Sequence, residues 1–174
     1  MTAPRRPLET RTVWSGRFLS VDLERWEDRA EYEVVHKHHA VGVVPLTPSD
    51  EVLLVRQFRP PVRDSLLEIP AGLLDVEGED ALTCAARELF EETGYRHDSI
   101  EFMGGCYLSP GFTDEYIHLF WARTRSEPEA APEDGIELVR MPYAHAVAAA
   151  REGKVRNVST ALALLMAAAR VPAS

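Results

Sequence analysis

The stretch from Glu79 to Tyr95, EDALTCAARELFEETGY, constrains this chain more than any other. Leu82, Ala85, Ala86 and Leu89 recur at helical spacing, which predicts a helix with one apolar stripe laid on a core. No Pro or Gly interrupts residues 79–93, and Gly94 stands where a helix usually stops. Glu88, Glu91 and Glu92 then share one face of the last two turns. The helix dipole is negative there, so each acid costs about 0.3–1 kcal/mol. Glu88 and Glu92 also repel each other, by about 0.2–0.5 kcal/mol. Arg87 is the one cation close in sequence, and it can reach Glu91 a turn on. Acid gathered at the wrong end of a helix calls for a cation. Hard oxygen donors on one rigid face suit Mg²⁺, with Mn²⁺ as an alternative.

Glutamate pairs on helices are commonly only a solvated face. Here the preceding segment argues for more. Ile69-Pro70-Ala71-Gly72 reads as a strand end and a turn, and a Gly/Asp/Glu-rich loop follows up to Asp80. That loop brings backbone carbonyls over the acidic face. Together these residues resemble the Nudix hydrolases, whose signature is Gly, five residues, Glu, seven residues, then Arg-Glu-apolar-X-Glu-Glu-X-Gly-apolar. Arg87-Glu88-Leu89-Phe90-Glu91-Glu92-Thr93-Gly94-Tyr95 fits the second half, and Glu79 stands at the required distance before Arg87. The departure is at the front, where the loop from Gly72 to Glu79 holds one residue more than the pattern.

The resemblance implies a metal held by Glu88, Glu92 and the Ala71 carbonyl, with Glu91 ligating directly or through water. Arg87 would orient Glu91, and Glu79 would support Arg87. The Arg56-Gln57-Phe58-Arg59 run and the loop Ser109-Pro110-Gly111-Phe112-Thr113-Asp114-Glu115 resemble the ADP-ribose pyrophosphatase branch. Arg56, Arg59, Glu68, Pro110, Gly111 and Phe112 are therefore expected at the substrate. In that branch the general base is a Glu on a late loop. Glu133 is the choice here, and Asp134 and Glu137 stay open beside it. The implied reaction is metal-dependent hydrolysis of a nucleoside diphosphate derivative, ADP-ribose to AMP and ribose 5-phosphate. Rival substrates are a nucleotide sugar, a dinucleotide or an oxidised nucleoside triphosphate. A non-catalytic nucleotide-sensing module would usually have lost one of the helix acids, and all are present.

The chain has 174 residues, 45% of them apolar and 27% charged, as expected for a globular fold with one full core. A net charge of −9 argues against a nucleic-acid partner, which needs a basic stripe. It leaves room for a phosphorylated small molecule, because a local arginine cluster and a metal can reverse the field inside a cleft. Two cysteines, Cys84 and Cys106, make neither a disulfide framework nor a zinc site, and fit a reducing cytoplasm. Arg5 and Arg6 precede no apolar run, so no secretory leader is expected. The apolar run 161–169 is too short to span a membrane.

Residues 12–25 read as one strand and 32–36 as another, joined by a turn at Glu27-Asp28-Arg29. This pair has little to bury against by itself, which predicts a homodimer built through residues 12–36. The chain divides accordingly into a tail and strand pair, 1–37, and a Nudix domain, 38–174. His36, His38 and His39 lack a nearby carboxylate or thiol in sequence and read as surface strand histidines rather than a metal site. Residues 40–45 and 52–55 are buried strands, and further strands are expected at 100–108, 115–122 and 136–141. Helices follow, one opened by Pro142 and one capped by Asn157 or Ser159 with Leu162, Leu165 and Met166 inward. The fold class is α+β, a sheet packed between helices. The resemblance implies a Nudix α/β/α sandwich with a mixed sheet, plus the short N-terminal strand pair. The acidic segment Ser126 to Gly135 carries few apolar anchors and is expected to move freely and to close over substrate.

Overall fold

The computed structural model describes residues 5–27 and 30–171. The sheet at its centre is ordered β10-β5-β4-β9-β8, from Glu137–Pro142, Glu51–Arg59, Ala40–Leu46, Tyr116–Thr124 and His97–Tyr107. Two short strands, β6 (Asp64–Glu68) and β7 (Ala71–Leu73), add on to β5 and β4. Only β4 and β9 run parallel, so the sheet is mixed. Every residue of β4 is buried, which is why AVGVVPL reads as a continuous apolar run instead of an alternation.

Helix α1 (Ala81–Thr93) covers one face of the sheet, where Cys84, Ala85 and Leu89 meet Val41, Val43 and Phe120. Helices α2 (Tyr143–Arg151) and α3 (Val158–Ala168) cover the other, against Val44, Leu46, Val52 and Leu54. Odd and even positions of β4 thus serve different helices, as strand geometry requires. Three layers result. Asn157 caps α3 by accepting from the Thr160 N–H at 2.9 Å. Thr160 in turn accepts from the Ile69 N–H at 3.0 Å, which fixes the end of β6 under the helix. On α3 the inward residues are Ala163, Leu164 and Ala167, while Leu165 turns outward. Among the described residues no helix is long and apolar enough to cross a membrane.

The N-terminal segment departs from the expected strand pair. It forms three antiparallel strands, β1 (Glu9–Ser15), β2 (Leu19–Arg25) and β3 (Glu31–Lys37). The run read as one strand is broken at Gly16, whose N–H donates to the Leu19 carbonyl at 3.0 Å. Asp28 and Arg29 of the expected turn lie outside the described residues. The register of β8 on β9 shifts between Phe102 and Gly104, where the glycine has no side chain to place.

Candidate active site

Helix α1 starts at Asp80, which accepts from the Thr83 N–H at 2.7 Å, and ends at Gly94 with φ 76°. Glu79 therefore lies just before the helix. The additional residue of the Gly72–Glu79 loop is absorbed in an exposed turn closed by the Glu79 N–H on the Val76 carbonyl, at 3.1 Å. The spacing that matters downstream is kept. Arg87 clasps Glu79 through Nε and Nη2, both at 2.9 Å, a bidentate pair that ties loop to helix. The same guanidinium reaches Glu88 at 2.7 Å and Glu91 at 3.0 Å. Its proton is held more firmly than an ordinary arginine's, first by Glu79, and Glu79 is pulled below the usual carboxylate range by Arg87.

The buried stripe of α1 is rotated from the one its apolar letters suggest. Leu82 is exposed, and the inward positions are Cys84, Ala85, Leu89, Glu92 and Thr93. Glu92 is thus a core-facing acid, 6% exposed, and its Oε2 accepts from the Ala71 N–H at 3.0 Å. Burial first, then the neighbouring charges of Glu88 and Glu133, push its carboxyl up to about 8. Burial raises Glu88 as well, against the pull of Arg87. The Glu88 carboxylate rests on Gly72: a Cβ built there would stand 2.0 Å from Glu88 Cδ. Only a residue without a side chain lets the loop approach so closely. Cys84 is buried beneath this group, with its thiol pushed up to about 12 by desolvation, and stays an inert core residue.

Glu68 and Arg59 meet beside this helix. Arg59 holds Glu68 through Nε at 3.1 Å and Nη2 at 2.6 Å. The pair borders a cleft of about 500 Å³ that also takes in Ala71, Gly72, Lys37, Leu108 and Glu115. Arg56 does not join it. Three positions apart on a strand, Arg56 and Arg59 point to opposite faces. Arg56 lies over the α2–α3 side, in a cavity with Leu54, Met141 and Arg156, and pairs with Glu137 at 3.3 Å. Pro110, Gly111 and Phe112 line a separate cavity with Trp26 and Tyr32 of the N-terminal sheet; the two ends of their loop, Leu108 and Glu115, are what reach the main cleft.

The acidic loop is not free. The Glu129 N–H donates to the Gly94 carbonyl at 2.8 Å and the Glu133 N–H to the Glu91 carbonyl at 2.9 Å. Those carbonyls end α1 with no partner of their own in the helix, so the loop caps them. Arg96 and Arg125 both bind Glu129 and fasten the seat. A Cβ at Gly94 would collide with the Ala130 carbonyl at 1.9 Å, a second reason for glycine there. Glu133 consequently stands close enough to raise both Glu88 and Glu92 by charge repulsion, whereas Glu137 is engaged by Arg56.

The donor set suits a hard divalent cation. A buried and a half-buried carboxylate, both with raised affinity for protons, are groups whose charge a cation would offset. Among the described residues no three acidic, His or Cys side chains already converge as a cage. Mg²⁺ usually needs no such cage, since it keeps waters and uses one or two carboxylates with substrate phosphates. Gly72 as the seat for Glu88, and Lys37 and Glu115 as cleft residues, were not singled out by sequence reasoning. For Gly72 the signal was its place in the signature. For Glu115 it was its place in the Ser109–Glu115 loop, and for Lys37 there was none.

Comparison with known proteins places this geometry. A NUDIX domain model matches residues 36–162. The methanol dehydrogenase activator of Bacillus methanolicus is 32% identical over 167 residues, covering 91% of this chain and 90% of its own. The ADP-ribose pyrophosphatase of Bacillus subtilis (strain 168) is 32% identical over 160 residues, 87% of this chain and 86% of its own. The GDP-mannose pyrophosphatase of Yersinia enterocolitica serotype O:8 is 35% identical over 128 residues, 67% and 66% of the two chains. A crystal structure of an ADP compounds hydrolase shares the fold, with a TM-score of 0.80 at 21% identity over 98% of this chain and 96% of that one. The signature residues, the sandwich and the family match agree: the chain belongs to the Nudix hydrolase family.

Proposed function

We propose that this Nudix pyrophosphohydrolase cleaves ADP-ribose to AMP and ribose 5-phosphate with Mg²⁺, Mn²⁺ serving in its place. The observation that carries the reading is the pair of carboxylates, half-buried Glu88 and buried Glu92, seated on Gly72 and Ala71, which line the Arg59–Glu68 cleft. The Bacillus subtilis relative named for ADP-ribose supports the choice of substrate, and the Yersinia relatives keep a nucleotide sugar as the rival.

Glu88 and Glu92 would hold the metal, with the Ala71 carbonyl and Glu91 completing the set. Bound there, the ion would neutralise pyrophosphate oxygens and acidify a water. The chain's own residues do the rest. Arg87, anchored by Glu79, keeps Glu88 and Glu91 aimed along one edge of the helix. Glu133, capped onto the end of α1, accepts the proton of the attacking water, and its backbone anchor holds it there before substrate arrives. Arg59 is positioned by Glu68 to face a phosphate or ribose group in the cleft. Water oxygen adds to one phosphorus, and the bridging oxygen departs with the other phosphate. Pro110, Gly111 and Phe112 border the outer cavity, where the far end of an extended substrate would lie.

Two further parts belong to this reading. Residues 1–37 form a dimerisation element attached to a catalytic domain, 38–174, since β1 is exposed along its length and Trp14, Phe18 and Tyr32 stand out from the sheet. The protein works in the cytoplasm, consistent with a buried, unpaired Cys84. A substrate panel with Mg²⁺, ranked by kcat/KM and resolved by product identity, tests the proposal. ADP-ribose should rank first, and a triphosphate or nucleotide sugar in that place would overturn the substrate assignment.

A further inference from the structure

We propose that His36 is a positioning residue: its imidazolium, held between Asp22 on β2 and Asp114 in the Ser109–Glu115 loop, locks that loop onto the free edge of β3. The loop joins β3 almost as a fourth strand. The Val35 N–H donates to the Phe112 carbonyl at 2.7 Å, the Asp114 N–H to the Val35 carbonyl at 3.3 Å, and the Lys37 N–H to Asp114 Oδ1 at 3.1 Å. His36 fixes the side-chain half of this seam. Its Nδ1 stands 2.6 Å from Asp114 Oδ2 and its Nε2 3.4 Å from Asp22 Oδ2.

A neutral imidazole has one N–H and one lone pair, so one of two flanking carboxylates would face a lone pair. Both ring positions donate only in the imidazolium. Asp22 adds to the need for charge. Its side chain is 14% exposed, and its Oδ1 is buried with no hydrogen-bond partner among the described residues. The surroundings agree in sign. Asp22 and Glu24 face His36 from β2, and Asp114 faces it from the loop. Lys37 beside it is spent on Glu115 at 2.6 Å. Arg17, from the β1–β2 turn, lines the same cavity but lies over the Phe18 ring, 4.9 Å from its centroid. Asp114, by its hydrogen bond, raises His36 above the ordinary imidazole value, against desolvation.

The lock is therefore complete while the imidazole is charged, and as pH rises through its raised pKa, above the ordinary 6.5, one of its two ring contacts is lost. What the lock positions is the whole loop, whose ends, Leu108 and Glu115, line the main cleft and whose tip, Pro110 to Phe112, lines the outer cavity. The consequence for substrate rests on the function proposed above; the lock itself does not.

Two readouts keep these apart. The first is chymotrypsin cleavage after Phe112, which is 55% exposed, followed by mass spectrometry between about pH 6 and about pH 9. The full-length wild type is compared with H36A and D114N at each pH, which cancels the protease's own profile. The wild type should be protected relative to both variants by roughly two- to fivefold at the acid end, and the difference should narrow toward the alkaline end. D114N keeps His36 and carries the test if H36A does not fold. The second readout is kinetic: KM for ADP-ribose should rise with pH in the wild type and be high and flat in the variants, with kcat little changed. A wild-type to variant cleavage ratio that stays constant with pH overturns the lock, even if ADP-ribose is turned over. Failure to hydrolyse ADP-ribose, with the cleavage ratio as expected, removes the substrate assignment and leaves the lock standing.

Discussion

Replacing Glu92 by Gln should make the metal-free protein more stable, and the gain should depend on pH. Glu92 is held up to about 8 by burial, from 4.5 in an open chain. Between those values the folded protein binds a proton that the unfolded chain has released. A raised pKa of this kind contributes stability in full below the unfolded value and loses it as pH climbs through the folded one. The slope approaches 1.4 kcal/mol per pH unit, so from about pH 5 to about pH 7.5 the wild type loses on the order of 3 kcal/mol through this one group. The amide introduced by E92Q carries no charge at any pH, and its oxygen can still accept from the Ala71 N–H that now binds Glu92. Urea unfolding of chelator-treated protein at those two pH values measures the difference. E92Q and wild type should match at the acid value and part at the other, with E92Q ahead. Saturating Mg²⁺ should reverse the order, because binding to the folded wild type alone adds stability. Unfolding curves that stay parallel at both pH values would refute the claim that Glu92 is a buried acid waiting for a cation.

Gly72→Ala should cut activity and raise the Mg²⁺ concentration for half-maximal rate, since its Cβ would stand 2.0 Å from Glu88 Cδ and must displace that carboxylate; a metal titration of the rate checks it. Glu133→Gln should lower kcat by roughly 10²–10⁴ with KM little moved, while D134N and E137Q do less; steady-state kinetics on the three variants place the base. Light scattering at micromolar concentration should report a homodimer, and a variant with Trp14 and Phe18 changed to Ser should shift toward monomer if residues 12–36 form the contact.

The residues of α1 were legible because their spacing is fixed by one helix. Glu88, Glu91 and Glu92 cannot leave one face, and Arg87 reaches Glu79 and Glu91 as expected, while its contact with the adjacent Glu88 was not foreseen. The rotation of the stripe that buries Glu92 and exposes Leu82 was not legible, because apolarity alone does not report that a buried acid has a backbone partner. Arg56 and Arg59 were grouped by adjacency, and strand alternation separates them. The acidic loop looked unanchored by composition, yet it is fastened by backbone groups, the N–H of Glu129 and Glu133 on the open end of α1. His36 read as a surface histidine because both its partners are distant in sequence, and only the docking of the Ser109–Glu115 loop on β3 brings Asp114 to it.

Mn²⁺ binding followed by electron paramagnetic resonance tests the central claim most directly, in the wild type and in a Glu88→Gln, Glu92→Gln double variant. The account predicts saturable Mn²⁺ binding by the wild type that Mg²⁺ competes away, and its loss in the variant while circular dichroism shows the fold retained. Mn²⁺ bound equally well by both proteins would contradict it and place the metal away from α1.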